Sequence, residues 1–359
     1  MENRRSFIKK AGVIAAISVN PSFLIPLQKK KLGIALVGLG YYSTDLLAPA
    51  LQLTEHCELK GIVTGSPKKV TSWQKKYGIK SKNVYNYENM HTIASNDEID
   101  IIYIVLPNSL HEKYTLIAAN AGKHVWCDKP MAITVKECQN MIDTCAKNKV
   151  QLTIGYRMQH EPVTQKIIKW SISKPYGNIR SLYAEAGFYH NGNNKNHWKL
   201  HKKLGGGAMF DMGVYTLNAA RYATGLEPIS VSAKQYSKRS DIFIADETTE
   251  YTLHFPEGII AKCKTTFAAN INTLKVDCEK GWYQLSPMQS YSGVRGTTSD
   301  GKVLNPFQGN QQAKQMDDDA LAIINKTAPL VSGEEGMKDI KVVEGIFKSA
   351  ANNSKLIKL

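Results

Sequence analysis

Between residues 32 and 157 short apolar runs alternate with longer amphipathic stretches, the pattern of βαβ units around a parallel sheet. Gly33–Val37, Leu59–Thr64, Ile101–Leu106, His124–Cys127 and Leu152–Tyr156 read as strands. Thr44–Leu53, Pro67–Tyr77, His111–Ala121 and Val135–Asn148 read as the helices between them. Beyond Arg157 the texture changes. Leu182–Phe188, Ile229–Tyr236, Thr248–Phe255, Ile259–Phe267, Thr273–Cys278 and Gly281–Leu285 follow one another quickly, as in an open, mainly antiparallel sheet. Helices expected at Gly213–Tyr222, Gln312–Asn325 and Gly336–Ala351 would cover one face of it and leave the other for a second subunit, as a homodimer or homotetramer. The fold class is therefore an α/β, doubly wound parallel sheet at 32–157 followed by an α+β substrate and oligomerisation domain at 158–359.

A chain of 359 residues that is 43% hydrophobic is long enough for two such cores. Its net charge of +15 suggests nucleic acid or membrane until the charge is located: residues 1–31 hold seven basic side chains and one acid, which leaves +9 for the rest, read as a solvated basic surface. Arg4-Arg5-Ser6-Phe7-Ile8-Lys9 and the apolar run Ala11–Val19 read as a twin-arginine export signal, so 1–31 is set apart from the fold and a periplasmic or exported location is expected. The run is too short to span a bilayer, so no stable membrane insertion is expected. Six cysteines without CxxC spacing read as mostly buried thiols.

Gly38-Leu39-Gly40-Tyr41-Tyr42-Ser43 ends an apolar strand and opens a helix, which is where a dinucleotide fingerprint must lie. Gly38 permits the turn, Gly40 lets backbone approach a pyrophosphate, and the helix start offers unpaired N–H groups. Ser43 stands where a third glycine is usual. The second strand ends without the acid that grips the ribose hydroxyl of NAD; Thr64, Ser66, Lys68 and Lys69 stand there instead and suit a 2′-phosphate. NADP is thus expected over NAD.

Asp128-Lys129-Pro130 follows the fourth strand of the pattern, at the ligand-binding edge of such sheets, and Pro130 restricts Lys129. Asp211 and Tyr215, four apart at the start of a helix, share a face, and Gly205-Gly206-Gly207 just before them would let backbone pass close to a ligand. A phenol is a poor base near neutral pH unless a cation such as a lysine stands beside it.

Together the run Gly38–Tyr42, Val105-Leu106-Pro107-Asn108-Ser109-Leu110-His111, Asp128-Lys129-Pro130, Ile154-Gly155-Tyr156-Arg157, Gly205–Tyr215 and Gly333-Glu334-Glu335-Gly336-Met337 resemble the Gfo/Idh/MocA oxidoreductases, and among them the glucose–fructose oxidoreductase branch, over nearly the whole of 32–359. The family commonly has His where Tyr215 stands, and the branch has Tyr. The resemblance implies that Lys129 and Tyr215 carry the chemistry and that Asp211 orients substrate or lysine. It also implies that Thr64, Lys69, Tyr87, Val105, Leu106, Pro107, Asn108, Leu110, His111, Asp128, Arg157, Trp198 and Tyr291 line NADP. The usual Glu before the lysine is Asp128 here, a shorter reach. The expected activity is hydride transfer between a sugar or polyol and a tightly bound cofactor.

Three other readings fit less of the chain: a conventional sugar dehydrogenase, an exported glycosidase acting by transient oxidation, and a sugar-binding protein that keeps the cofactor as structure. His197 and His201 are four apart, with His190 upstream, but no third ligand of fitting spacing joins the pair, so no metal site is expected. No acyl-transfer motif is present.

Overall fold

The computed structural model describes residues 31–359, so the candidate export signal lies outside the described residues. The first sheet contains β1 (Leu32–Val37), β2 (Cys57–Val63), β3 (Val84–Tyr85), β4 (Ile101–Ile104), β5 (His124–Cys127) and β6 (Leu152–Ile154), all parallel, in the order β3-β2-β1-β4-β5-β6. Its central strands are apolar throughout because both faces are covered, as in most parallel sheets. The chain order reverses between β1 and β4, which opens a crevice at their carboxyl ends. The two-residue β3 was not foreseen, being too short to show a period.

Local chemistry sets several helix ends. Pro67 opens the helix Pro67–Tyr77 and Gly78, at φ 67°, closes it. Thr134 and Glu137 form a capping box at the start of Val135–Lys147. The helix expected at Thr44–Leu53 is instead a π-helical turn, Tyr42–Leu47, followed by the short Ala48–Ala50. Pro49 has no N–H for the carbonyl four residues back, and a widened turn accommodates the missing bond.

The second sheet has nine strands: β7 (Ile179–Gly187), β8 (Ser230–Tyr236), β9 (Thr248–His254), β10 (Ile260–Thr266), β11 (Ile271–Cys278), β12 (Gly281–Leu285), β13 (Gly296–Thr298), β14 (Val303–Leu304) and β15 (Ile357–Lys358). Their order is β14-β13-β12-β11-β7-β10-β9-β8-β15, antiparallel except where β7 meets β10. The helices Val214–Thr224 and Gly333–Ala351 pack on one face. On the other, Tyr183, Ile260 and Lys262 point outward.

The helix Gln311–Ile324 departs from expectation. Its Ala313, Met316 and Ala320 pack with Ile34, Leu36, Tyr103 and Trp126, so it covers the first sheet and not the second. The chain thus returns to its first half after completing most of the second sheet. All six cysteines are free, five of them buried. Among the described residues no helix is long and apolar enough to cross a membrane.

Helix Val214–Thr224 is tied down by a buried charge cluster. Arg221 is nearly inaccessible and reaches Asp339 at 2.6 Å, Glu335 at 2.7 Å and Glu227 at 2.8 Å. Asn218 also donates to Asp339. The Gly333–Met337 segment is therefore a structural anchor: Glu335 holds Arg221, and a Cβ on Gly336 would lie 2.8 Å from Ile154. Replacing Arg221 with Met leaves Asp339 buried without its cation, and stability should fall by about 3–5 kcal/mol, read from urea unfolding midpoints at constant slope.

Candidate active site

At the crevice β1 runs into Gly38 and β4 into Val105. Gly38 has φ 90°, and a Cβ there would sit 2.3 Å from the Val105 carbonyl, so only glycine keeps the two chains together. Ser43, fully buried, donates to the Gly38 carbonyl at 2.6 Å, which is what a serine contributes in place of a third glycine. Gly40 differs, since nothing lies within 4 Å of the point its Cβ would occupy. That point faces a cleft of about 1320 Å³ whose wall includes Gly40, Thr64, Asn108, Lys129, Trp198 and Tyr215.

One end of this cleft is cationic and polar. Thr64 Oγ1 accepts the Ser66 N–H at 3.1 Å, and Lys69 reaches from its helix to donate to the Leu39 carbonyl at 2.5 Å. The ammonium therefore lies against the glycine turn. Tyr41, Tyr42, Ser66 and Tyr87 complete this part of the wall. Tyr87 packs against Tyr114, and burial raises its pKa. The carboxylates lining the cleft among the described residues are Asp128 and Asp211, and neither belongs to the β2 end. A bare backbone at Gly40, a helix start and a lysine fit the pyrophosphate and ribose of a nicotinamide dinucleotide.

The other end holds the candidate reactive groups. Lys129 follows β5 through a cis peptide to Pro130. Its ammonium donates to the Asp211 carbonyl at 2.6 Å, lies 3.8 Å from the Asp211 carboxylate, and stands 4.6 Å from the centre of the Tyr215 ring. Burial opposes the charge on Lys129, but Tyr215, Asp211 and Asp128 outweigh it and hold its pKa above the ordinary lysine value. The second Asp211 oxygen accepts from Lys199 at 2.7 Å. Burial works against the Asp211 carboxylate as well, yet Lys199 and Lys129 together keep its pKa low. Asp128 has less support: burial raises its pKa despite Lys129 and His111. Tyr215 lines the cleft.

Lys199 is the functional side chain that sequence reasoning missed, because its Asn- and Lys-rich surroundings read as solvated loop. The signal lay in the triple glycine. A Cβ on Gly206 would lie 2.5 Å from the Lys199 carbonyl and 2.6 Å from that of Trp198, and the Gly207 N–H donates to the Lys199 carbonyl at 2.8 Å. The glycines thus bring the 198–199 turn against the helix start. They do not approach a ligand as expected, for none of the three lines the cleft.

Three residues expected along the cofactor stand elsewhere. Arg157 is buried behind the wall, donating to the Ser290 carbonyl at 2.8 Å, Gln311 at 2.7 Å and Gln289 at 3.1 Å, with its guanidinium 4.7 Å from the Tyr291 ring and 5.5 Å from that of Tyr215. It braces both tyrosines from the side away from the cleft. His111 is fully buried, with its nitrogens 2.8 Å from the Pro130 carbonyl and 2.9 Å from that of Leu106. It ties the loop after β4 to the loop after β5. Leu110 packs against the apolar core, where a leucine is drawn. Val105, Leu106, Pro107, Asn108, Asp128, Trp198 and Tyr291 do line the cleft. Tyr291 stacks on Tyr42 at 5.9 Å, and Asn108 donates to the Gly205 carbonyl at 2.7 Å, joining the two halves. His190 and His197 meet edge to face at 5.6 Å in the same wall, and no group of three metal-ligating side chains occurs among the described residues.

A doubly wound sheet with a glycine turn at its switch point, and a lysine beside a tyrosine across the same cleft, defines a dinucleotide-dependent oxidoreductase. Residues 32–156 match a family described as "Oxidoreductase family, NAD-binding Rossmann fold", and residues 164–284 match "GFO/IDH/MocA C-terminal domain". The crystal structure of an aldose-aldose oxidoreductase from Caulobacter crescentus superposes with a TM-score of 0.88 at 37% identity, over 92% of this chain and 100% of that one. D-xylose 1-dehydrogenase [NADP(+)] of Haloarcula marismortui is 26% identical over 89% of this chain and 91% of its own length. D-glucoside 3-dehydrogenase of Escherichia coli is 23% identical over 90% and 97%. The chain belongs to the Gfo/Idh/MocA family of oxidoreductases.

The lowered pKa of Asp211 gives stability that is complete above its unfolded value, near 3.9, and lost as pH falls through the folded one. Lys199→Met removes the nearer cation. The variant should be less stable by about 1.5–3 kcal/mol near pH 7, the scale of a charged hydrogen bond. Urea unfolding at about pH 3 should show the gap narrowing, since both proteins then approach a protonated Asp211.

Proposed function

We propose that the protein is an exported sugar oxidoreductase that moves a hydride between a hydroxyl-bearing carbon of a cyclic sugar or polyol and a tightly held NADP. The observation that carries this reading is the Lys129 ammonium 4.6 Å from the Tyr215 ring, with Asp211 bonded to both Lys129 and Lys199. A bound nicotinamide supplies the hydride acceptor and donor. Gly38, Gly40, Thr64, Ser66, Lys69 and Asp128 would hold that group, and Tyr42, Tyr87 and Tyr291 would flank it.

In the oxidising direction Tyr215 acts as the phenolate, its charge balanced by the Lys129 cation, takes the proton of the sugar hydroxyl and becomes the neutral phenol. Asp211, kept ionised by its two lysines, fixes the Lys129 ammonium and accepts from a neighbouring sugar hydroxyl. Trp198 offers a flat apolar face suited to the C–H side of a sugar ring. In the reducing direction Tyr215 returns the proton to a carbonyl. The name of the Caulobacter crescentus enzyme, an aldose-aldose oxidoreductase, supports a cycle in which one sugar is oxidised and a second reduced without cofactor release. The preference for NADP rests on Lys69 and on the absence of an acid at the end of β2, and the Haloarcula marismortui relative is named for NADP(+). The twin arginines Arg4-Arg5 support export, and the uncovered face around Tyr183 and Ile260 supports a homodimer or homotetramer.

Tyr215→Phe should lower turnover of the responsive aldose by roughly 10²–10⁴-fold, the scale of a lost acid–base group, and alter the pH profile. Lys129→Met should abolish hydride transfer while dinucleotide still binds, as followed by absorbance and protein fluorescence. Activity of Lys129→Met within about tenfold of wild type would contradict its role.

Cofactor choice is tested separately. A preference for NADP over NAD of at least about tenfold requires only about 1.4 kcal/mol, less than one charge-assisted hydrogen bond provides. Lys69→Ala should reduce that preference by weakening NADP and leaving NAD nearly unchanged. Titration of both dinucleotides into stripped wild type and variant decides it. Equal NADP affinity in the two proteins moves the contact to another group.

A further inference from the structure

Behind the cleft lies a file of buried polar atoms that the proposed chemistry does not use. The hydroxyl of Tyr103, on β4, the side-chain oxygen of Gln315, Asp319 Oδ1 and His160 Nε2 are all inaccessible and reach no partner at ordinary hydrogen-bond distance among the described residues. Unmatched buried groups are rare singly, because each costs a desolvation penalty that nothing returns. Here they are contiguous. Tyr42, Asp128, Gln315 and Asp319 all act on the Tyr103 hydroxyl. A Cβ built on Gly155 would lie 2.9 Å from the Tyr103 hydroxyl and 3.4 Å from Asp128 Oδ1, so a small gap at this glycine separates the two. Gln315 donates to Asp319 at 3.5 Å, and Asp319 lies 3.6 Å from His160 Nε2. His160 Nδ1 stands 2.9 Å from Asp318, whose side chain is 36% exposed and also bonded to Lys314. One end of the file is thus a carboxylate in the cleft wall, and the other is a carboxylate in solvent.

We infer that the proton freed by sugar oxidation leaves the substrate-filled cleft through the protein, from Asp128 across Tyr103 and Gln315 to Asp319 and His160, and reaches water at Asp318. The inference rests on the oxidoreductase reading above. Oxidation breaks the O–H bond and the C–H bond on one carbon and forms C=O. The hydride takes both electrons to the nicotinamide, and the proton goes to Tyr215. From Tyr215 it passes by way of Lys129 to Asp128, and Tyr103, Asp319, His160 and Asp318 each accept one proton as they hand one on while Gln315 holds Asp319 in line without changing its own protonation, so one proton emerges per hydride transferred. The route requires buried water at Gly155 and beside Gln315, between Tyr103 and Asp319, where polar groups face one another with bonds to spare. Burial raises the pKa of Asp128, and it brings that of Asp319 to about 6, which suits Asp319 to both accept and release a proton near neutral pH. A purely structural role for the cluster would favour matched bonds or apolar side chains.

A single turnover of enzyme loaded with oxidised cofactor, mixed with aldose in weak buffer, gives nicotinamide absorbance and indicator-dye proton release together. In wild type the two should rise in step. In Tyr103→Phe, which removes one hydroxyl, and in Asp319→Asn, the absorbance should still rise while proton release lags by at least about tenfold. Proton release in step with hydride transfer in both variants would overturn the route and leave the parent reading intact. Failure of wild type to reduce its nicotinamide with any aldose or polyol would overturn the parent reading and the route with it. A second measurement needs neither cofactor nor sugar. Infrared titration should show a buried carboxylic acid losing its proton near neutral pH in wild type, where Asp319 faces His160, Gln315, Asp318 and Tyr103, and that band should be missing from Asp319→Asn. Identical spectra of the two proteins would also overturn the route.

Discussion

Asp211 is a carboxylate withdrawn from water, and the arrangement of the cleft follows from the need to keep it charged. A buried carboxylate alone would take up a proton, because desolvation costs several kcal/mol per ion. Lys129 and Lys199 prevent that, one from the loop after β5 and the other from a turn some seventy residues later. The requirement is mutual, since Lys129 is itself buried and keeps its proton only because Asp211, Asp128 and Tyr215 surround it. The triad therefore joins the two halves of the chain by electrostatics and places a cation on the ring of the tyrosine.

Holding that geometry is the work of groups that do not line the cleft. The helix carrying Tyr215 is anchored at its far end by Arg221, gripped by Asp339 and Glu335 of the helix Gly333–Ala351. Arg157 supports Tyr215 and Tyr291 from behind, and His111 joins the two loops that meet at Pro130. Reactive side chains on a few short turns are thus fixed by buried bonds on the side away from the cleft. The cofactor end is built differently. There backbone does most of the work, with one glycine required by the neighbouring strand and another left bare toward the cleft, and a single lysine adds charge.

Much of this was legible in the sequence, and what was legible was local. The parallel strands appear as continuous apolar runs, the helix Pro67–Tyr77 carries its own start and stop residues, and Gly38–Ser43 declares a turn by composition. Pro130 and the spacing to Asp211 restrict Lys129 and Tyr215 within a few residues, but that they carry the chemistry was implied only by the resemblance to the Gfo/Idh/MocA oxidoreductases. Such features depend on backbone sterics and on periods of two or 3.6 residues, both of which act over short stretches of chain.

Tertiary structure alone decided which distant groups meet. Lys199 acquires its partner from Asp211 only after Gly206 and Gly207 let the 198–199 turn pack against the helix start. Arg157 looked like a cofactor contact, but the bonds to Gln289, Ser290 and Gln311 hold it behind the wall. The helix Gln311–Ile324 was readable as a helix, yet nothing in its own residues said that it would cover the first sheet. Tyr103, in a fully apolar run, gave no sign that both Asp128 and Asp319 would act on its hydroxyl. Sequence determines which stretches are apolar, where the backbone must turn and which side chains carry charge. Which charges end up buried together is set by the packing of the whole chain, because desolvation makes a buried charge depend on partners that the fold brings from far along it.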